Sequence, residues 1–558
     1  MVKKFAFFIM QHRLLVLGII LSVSAFFGWQ CTKIRIETSF SDLLPHKHPF
    51  IKVHKKYEKQ LGDPLKVYLM LQKKEGDIYN TDTLEKVTRI TEKLDSLQSV
   101  NHDQVYSIAS RKVKSVTVNI GMVQSVPLMD KVPQTKEELE EFRRKVRNTG
   151  AVYGVWVSPD EKSVLFTITL IADTLDYRTT FQQIDELIKS ESEPGYNLYV
   201  CGEPILTGWI YNYQNEMYLI FGLTFLVLIF FLYFYFRNFV GVLVPTISSL
   251  LGAVWGLGFC GLLGYSLEPL TLVIPLLITA RALSHSVQFT ERFFERFNET
   301  KDKTRSCIES TVSILPPGIL GIATDSIGIL LIAVAPIPML QKLSYFCSFW
   351  AASIIFSGLI FTPVFISLFP PPKNVQSIVD TKQGFIQTIL GFVARLGFGK
   401  LGVANFIIVA ILAAFALWVS TKVEIGDVNP GTPILWEDSE YNAAVGQINE
   451  NFPGTEELFI LAEGEGKWAI HNPQLLKILD SFQRSMEKCE GVSYTMSIVD
   501  LFTPIQSLIY GGNPKWGVLP HSNDQVGNLY FTLLGSAAPD DFDRYFSGDQ
   551  KMANIIVW

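Results

Sequence analysis

The sequence predicts an α-helical polytopic membrane protein with about seven transmembrane helices and two large extracytoplasmic α/β domains, the second incomplete. Three observations predict it. Of the 558 residues, 48% are hydrophobic and 13% aromatic, and the mean hydropathy is positive. That is too apolar for an ordinary soluble enzyme and fits a chain divided between lipid and water. About seven stretches approach the ~20 mostly apolar residues that a membrane span needs. The chain also repeats itself at an offset of about 390 residues. Cys31-Thr32-Lys33-Ile34-Arg35-Ile36-Glu37 is echoed by Ser420-Thr421-Lys422-Val423-Glu424-Ile425, and Leu61-Gly62-Asp63 by Phe452-Pro453-Gly454. Val67-Tyr68-Leu69-Met70-Leu71 is echoed by Leu458-Phe459-Ile460-Leu461, and Ser107-Ile108 by Ser497-Ile498. A helix followed by a large soluble segment, used twice, is the pattern of a transporter built from parallel repeats. The second copy reaches Trp558 before it is complete, so the repeat predicts that these residues are a little over half of a longer machine.

The predicted spans are Leu14–Trp29, Met217–Tyr235, Val240–Leu263, Leu270–Leu283, Pro317–Val334, Leu343–Leu368 and Val403–Val419. The first reads as an uncleaved anchor, because it is long and no small-x-small cleavage site follows Phe26-Phe27-Gly28-Trp29-Gln30. Lys3, Lys4 and Arg13 precede it. Arg292, Arg296, Lys301, Lys303 and Arg305 follow the fourth span, and Lys373, Lys382, Arg395 and Lys400 follow the sixth. The positive-inside rule therefore places the N-terminus in the cytoplasm and the long segments outside. The predicted organisation is 1–30, cytoplasmic segment and first span; 31–216, first external domain; 217–370, five spans; 371–402, cytoplasmic amphipathic linker; 403–419, seventh span; 420–558, second external domain.

The first external domain reads as strand, helix, strand, strand, helix, strand, a small sheet covered on one face. Asp82 begins a helix with Glu85 at capping-box spacing, and Leu84, Val87, Ile90, Leu94 and Leu97 form its stripe. Pro133–Asn148, charged on most faces, reads as a solvated helix. Ala151–Val157 and Ser163–Leu170 read as strands joined at Ser158-Pro159-Asp160-Glu161. Phe181, Ile184, Leu187 and Ile188 mark a further helix, and Tyr196–Val200 a last strand. In the second copy Asn472-Pro473 caps a helix whose stripe is Leu475, Ile478, Leu479 and Phe482, and Phe531-Thr532 matches Phe166-Thr167.

The net charge of −5 gives no sign of nucleic-acid binding or of a polybasic membrane patch. The six cysteines show no metal-ligand spacing, and Cys31 with Cys201 is either a disulfide or two free thiols. Glu463-Gly464-Glu465-Gly466-Lys467 lacks the phosphate-loop pattern and reads as a turn. No cofactor is expected, and with no nucleotide site in the sequence any energy would have to come from an ion gradient.

The polar groups within the spans are the candidate site. Arg281, Ser284, His285 and Gln288 recur at i, i+3, i+4 and i+7, so they share one helix face. Charged groups in a bilayer usually face a protein interior or a water path, and histidine titrates near neutral pH. Two readings are open: a proton relay, or a wet cytoplasmic helix end from which Arg281 snorkels to the headgroups. Asp325 lies well inside the fifth span, where an aspartate is either protonated or paired. Its candidate partners are His285, Arg281 or the neighbouring backbone. The aromatic run Phe230–Phe236 reads as an interface belt.

These features resemble the resistance–nodulation–division (RND) superfamily, and within it the MMPL-type exporters of lipids and hydrophobic compounds, related to sterol-sensing-domain proteins. The resemblance covers the whole chain. It is carried locally by Leu270-Thr271-x-x-Ile274-Pro275-x-Leu277-Ile278, by Pro316-Pro317…Thr324…Gly328…Ala335-Pro336-Ile337-Pro338, and by Gly202-Glu203-Pro204. It implies porter-like external domains, a multi-pass location in the inner membrane, and proton-driven export of a lipid or other hydrophobe. It also implies the bilayer, the hydrophobic substrate and a homo-oligomer or periplasmic protein as partners, and a transporter rather than an enzyme. One departure matters. Members usually carry an Asp-Tyr pair in the fourth helix, and Ser284-His285 stand in that place when Arg292 is aligned with the family's arginine. Asp325, His285, Arg281 and Ser284 are the resulting relay candidates. The alternative that the departure favours is a lipid-binding or sensing membrane protein that does not transport.

Overall fold

The computed structural model describes residues 2–35, 40–61, 65–119, 122–267, 273–371, 375, 385–423, 426, 430–535 and 542–558. The opening of the fourth predicted span (Leu270–Leu272), the Ile36-Glu37, Gly62-Asp63 and Glu424-Ile425 members of the echoes, and residues 372–374 and 376–384 of the predicted linker lie outside the described residues.

The first helices are α1 Val2–Gln11, α2 Arg13–Cys31, α3 Pro49–Leu61, α4 Thr81–Asp95, α5 Lys136–Asn148 and α6 Tyr177–Glu191. Then come α7 Glu203–Phe236, α8 Phe239–Leu262, α9 Val273–Thr300, α10 Lys303–Leu331, α11 Pro338–Ile354 and α12 Phe361–Ile366. A π-helical segment, Ile355–Ile360, joins the last two. The chain continues through α13 Phe385–Leu396, α14 Gly399–Ser420, α15 Glu440–Asn451, α16 Pro473–Met486, α17 Ile498–Ile509 and α18 Asn523–Gly535. The strands are β1 Lys66–Lys73, β2 Val100–Tyr106, β3 Lys114–Asn119, β4 Met122–Pro127, β5 Ser163–Leu170, β6 Tyr196–Cys201, β7 Leu458–Glu463, β8 Thr495–Ser497 and β9 Met552–Val557. The chain forms two compact units, one of Met1–Lys52 with Tyr213–Glu424, the other of Val53–Asn212 with Ile425–Trp558.

The first unit is the membrane bundle. Among the described residues six helices are long and apolar enough to cross a bilayer: α2, α7, α8, α10 with its 3-10 extension, the α11–α12 rod, and α14. The remaining expected span, the fourth, lies on α9. Its 28 residues reach about 42 Å at 1.5 Å per residue, but Arg281, His285 and Gln288 dilute its apolar run, and it falls outside the six. Even so, α9 is packed within the bundle through Ala282, Phe289, Phe293 and Phe294, all buried.

The backbones of α2 and α8 approach closely. A Cβ on Gly258 would sit 2.4 Å from the Phe27 carbonyl oxygen, and one on Gly261 2.2 Å from that of Gln30. Only glycine permits this contact. Trp255 Nε1 donates to Ser24 Oγ across the same interface at 2.8 Å. Ser344 and Ser348 of α11 donate to the carbonyls of Ile329 and Ser326 on α10 at 2.7 and 2.8 Å. Along the aromatic run, Leu232 and Phe236 face inward while Phe230, Phe231, Tyr233 and Phe234 face outward. All six cysteines are free, so Cys31 and Cys201 are two thiols.

The second unit holds two related sheets. The first has order β2-β5-β1-β6 and the second β8-β9-β7, with antiparallel pairing in both. Leu69 of β1 faces Phe166 of β5, and Ile460 of β7 faces Ile555 of β9. The counterpart of Phe166 is therefore Ile555. Phe531 lies instead on α18, a helix that buries Val526, Leu529, Tyr530 and Leu533 at helical spacing and leaves Phe531 exposed. The copies also interlock. The phenol of Tyr57 on α3 donates to Glu463 at the end of β7 at 2.5 Å, while α15 of the second copy packs on β6 of the first.

Four further local expectations change. The cap of α4 is Asn80, whose side chain accepts from the Thr83 amide at 2.9 Å, and not Asp82. Ala151–Val157 is a series of turns, because Gly154 takes φ +84° and the Val152 carbonyl gathers the amides of Val155, Trp156 and Val157. α5, capped by a Thr135–Glu138 capping box, is not fully solvated; it buries Phe142 and Val146. β2 and the β3–β4 hairpin enlarge the strand–helix order read from the sequence.

Candidate functional site

The site is built where α9 meets α10. Arg281 Nε lies 3.0 Å from Asp325 Oδ2, a charge-assisted hydrogen bond between the two helices. The hydroxyls flanking Asp325 do not compete for it. Thr324 and Ser326 both donate to carbonyls of their own helix, Leu320 and Ile322, at 2.8 Å. Of the partners considered for Asp325, the structure brings Arg281 to it.

The predicted common face of α9 is divided. Arg281, Ser284 and Gln288 are exposed on the bundle, whereas His285 is turned inward and is 8% exposed. Ser284 Oγ accepts from Gln288 Nε2 at 3.4 Å. His285 packs against the π segment, and a Cβ placed on Gly358 would lie 3.6 Å from its Cβ. Both of its ring nitrogens are buried without a hydrogen-bond partner. The arrangement offers two kinds of proton-binding group on adjacent helices: a carboxylate of α10 held by the Arg281 guanidinium, and, one turn along α9 from Arg281, an imidazole with no hydrogen-bond partner. The Ser284 hydroxyl is bonded to Gln288 and to neither of these groups.

A second ionic cluster lies in the other unit, and no sequence motif announced it. Glu457, just before β7, accepts from Lys66 Nζ at 3.1 and 2.9 Å, from Arg544 Nη2 at 2.6 Å and from the Tyr68 phenol at 3.4 Å. Burial pushes the Glu457 carboxyl up, but the Arg544 and Lys66 charges outweigh it and bring it down to about 2. Lys66 and Glu457 stand 391 residues apart, at equivalent positions of the repeat. The signal was thus present in the sequence as opposite charges at equivalent positions, while Arg544 is supplied only by the fold. A similar cluster ties α4 to α6 within the first copy. Glu191 accepts from Arg89 Nε and Nη2 at 2.9 and 2.8 Å and from Lys93 at 2.7 Å, and these bonds hold its carboxyl down at about 2.

Residues 71–348 match the MMPL family. The chain is also similar to a Methanocaldococcus jannaschii protein whose name places it in the membrane and assigns it no activity. The two are 22% identical over 403 residues, covering 69% of this chain and 97% of the relative. The matched segment contains Arg281, Ser284, His285 and Asp325. With six candidate spans among its described residues, the protein is a multi-pass helical membrane protein, an RND-type transporter or a relative of one, and the chain belongs to the MMPL family.

Proposed function

We propose that this protein is a secondary transporter that uses the proton gradient to export a lipid or another hydrophobic compound across the inner membrane. The observation that carries the reading is the Arg281–Asp325 pair beside the buried, unpartnered His285, within a bundle of spans. Charged groups are expensive in hydrocarbon and are kept there for function. Arg281 and Asp325 are 53% and 37% exposed on the bundle, so a further protein surface or a water path covers them in the membrane. A proton reaching Asp325 neutralises the carboxylate and releases Arg281, and the α9–α10 contact then has two states that the gradient biases. The two interlocked copies of the other unit carry substrate outward as the helical parts rock.

The N-terminus is cytoplasmic and the α/β unit lies outside. Cys489 is the exposed thiol of that unit, and Cys201, its other thiol, is buried. A membrane-impermeant maleimide is expected to label Cys489 in intact cells, with the signal lost in Cys489→Ser. Labelling only after the membrane is broken would reverse the orientation.

Transport itself is tested in proteoliposomes carrying a fluorescent phospholipid. An imposed pH gradient is expected to drive the lipid between leaflets, and equal movement without the gradient would remove the proton coupling. The second reading, a lipid sensor, is favoured by Ser284-His285 at the place of the family's Asp-Tyr pair. It predicts saturable binding of the same lipid with no movement.

A further inference from the structure

The transport reading leaves unused the helix that precedes the first span. α1 buries Ala6, Ile9 and Met10 and packs on α10. Met10 joins Phe236, Val240 and Cys307 in one apolar core, so α1 sits at the end of the bundle where α7 turns into α8 and α9 into α10. The opposite side of α1 is open. Phe5, Phe7 and Phe8 are 42%, 58% and 54% exposed, and Lys3 and Lys4 are exposed as well. Lys4, Phe7, Phe8 and Gln11 stand at i, i+3, i+4 and i+7 and share one face. Lys3 and Phe5 flank it.

The level of this face in the bilayer follows from the lengths of the helices. The 19 residues of α2 rise about 28 Å, close to the ~30 Å of hydrocarbon, and only His12 separates α1 from α2. The 29 residues of α10 rise about 44 Å, and the apolar span in its sequence begins at Pro317. Cys307, in the same core as Met10, stands before that point, in the part of α10 that projects beyond the hydrocarbon. α1 therefore lies at the boundary between headgroups and chains. A face turned to water does not need three phenylalanines, and a face immersed in chains does not carry two lysines. The combination is that of an interfacial amphipathic helix.

The two lysines are also uncommitted. Among the described residues neither makes a hydrogen bond or an ion pair. Glu309 of α10, within electrostatic reach of Lys3, is paired with Arg305 at 2.8 Å. No acidic residue stands before Glu37, a local excess of positive charge that the net charge of −5 conceals.

We propose that this face binds anionic phospholipid of the adjoining leaflet. Lys3 and Lys4 meet the headgroup phosphates, and the rings of Phe5, Phe7 and Phe8 lie among the first methylenes. Each lysine near an anionic surface strengthens binding about fivefold, and the rings supply apolar area to either kind of lipid. Because the other face of α1 is seated on α10, the bound lipid steadies the helix that carries Asp325. The choice of leaflet rests on the cytoplasmic N-terminus proposed above, which Cys489 labelling tests by itself. The preference for anionic lipid rests neither on that topology nor on transport.

The test uses a bimane fluorophore on Gln11→Cys, in the full chain with its other cysteines replaced, in proteoliposomes. Nitroxide-labelled phosphatidylglycerol is expected to quench it at a mole fraction about tenfold or more below that needed with nitroxide-labelled phosphatidylcholine. Lys3→Gln with Lys4→Gln should bring the two lipids within twofold, whereas Lys3→Arg with Lys4→Arg should keep the preference. Lys301→Gln, at an exposed lysine of the α9–α10 turn, should also keep it. These side chains point away from α10, so the packing of α1 survives every variant. Equal quenching by the two lipids in the parent would make the face an apolar anchor without headgroup preference and overturn the proposal. An undiminished preference in Lys3→Gln with Lys4→Gln, or no quenching by either lipid, overturns it equally.

Discussion

Asp325→Asn is expected to abolish proton-coupled lipid movement, slowing it by about 100-fold or more, the scale on which loss of an essential proton-transfer group acts. Asparagine matches aspartate in size and still accepts from Arg281 Nε, so the 3.0 Å contact and the α9–α10 packing survive. What is lost is the ability to take up and release a proton, and with it the alternation between a paired and a released Arg281. Asp325→Glu keeps the titrating group but moves it by one methylene, and partial activity is expected. Comparing the two variants separates charge and titration from mere space filling. Unimpaired movement in Asp325→Asn, inserted at normal levels, would take Asp325 out of the mechanism.

Glu457→Gln is expected to loosen the α/β unit by about 3–5 kcal/mol, the range found when one member of a buried ion pair is removed. It leaves Lys66 and Arg544 facing each other at the junction of the two copies, where Arg544 Nε already lacks a partner. A suitable probe is the thiol of Cys201, completely buried on β6, whose own pKa is raised by that burial. In a variant keeping only this cysteine, its reaction with a thiol reagent requires the unit to open. Glu457→Gln should accelerate it by roughly two orders of magnitude or more, at about 1.4 kcal/mol per factor of ten. A rate within twofold of the parent would show that the cluster does not hold the copies together.

The same group sets a pH dependence. The Glu457 carboxyl titrates near 2 in the folded protein, against an ordinary value of 4.5. Above about pH 4.5 both folded and unfolded chains carry the charge, and its contribution, on the order of 3 kcal/mol, is fully present. As the pH falls from 4.5 toward 2 the unfolded chain takes up the proton first, and the contribution is lost. Glu191 acts in the same direction and over the same window. Opening at Cys201, corrected for the reagent's own pH dependence, should therefore be flat above pH 5 and rise below 4.5.

What was legible in the sequence follows the physics of each element. Spans and amphipathic helices advertise themselves through apolar periodicity, and α4, α6, α7 and α8 lie where that pattern places them. α16 shows how apolar bias misleads. Its expected stripe included Ile478 and Phe482, which are 64% and 44% exposed, whereas Leu476, Leu479 and Gln483 face inward. Gln483 donates to Asp500 at 2.6 Å and accepts from the Ser497 hydroxyl at 2.6 Å, so a buried polar network rotates the helix away from its most apolar face. The β3–β4 hairpin escaped notice because no Asn-Gly or Asp-Gly turn marks it. At the candidate site, helical spacing aligned Arg281 with His285, but it did not separate the outward arginine from the inward histidine. That division depends on Gly358 and the π segment, which periodicity does not reveal.

The central claim, that protons move with substrate through Asp325, is tested most directly by the pH inside vesicles that hold the protein and an entrapped pH-sensitive dye. With a proton gradient imposed, adding the fluorescent phospholipid should evoke a proton flux in the parent protein and none in Asp325→Asn. Lipid movement in the parent with no change in internal pH, or an identical pH response in both proteins, would contradict the account.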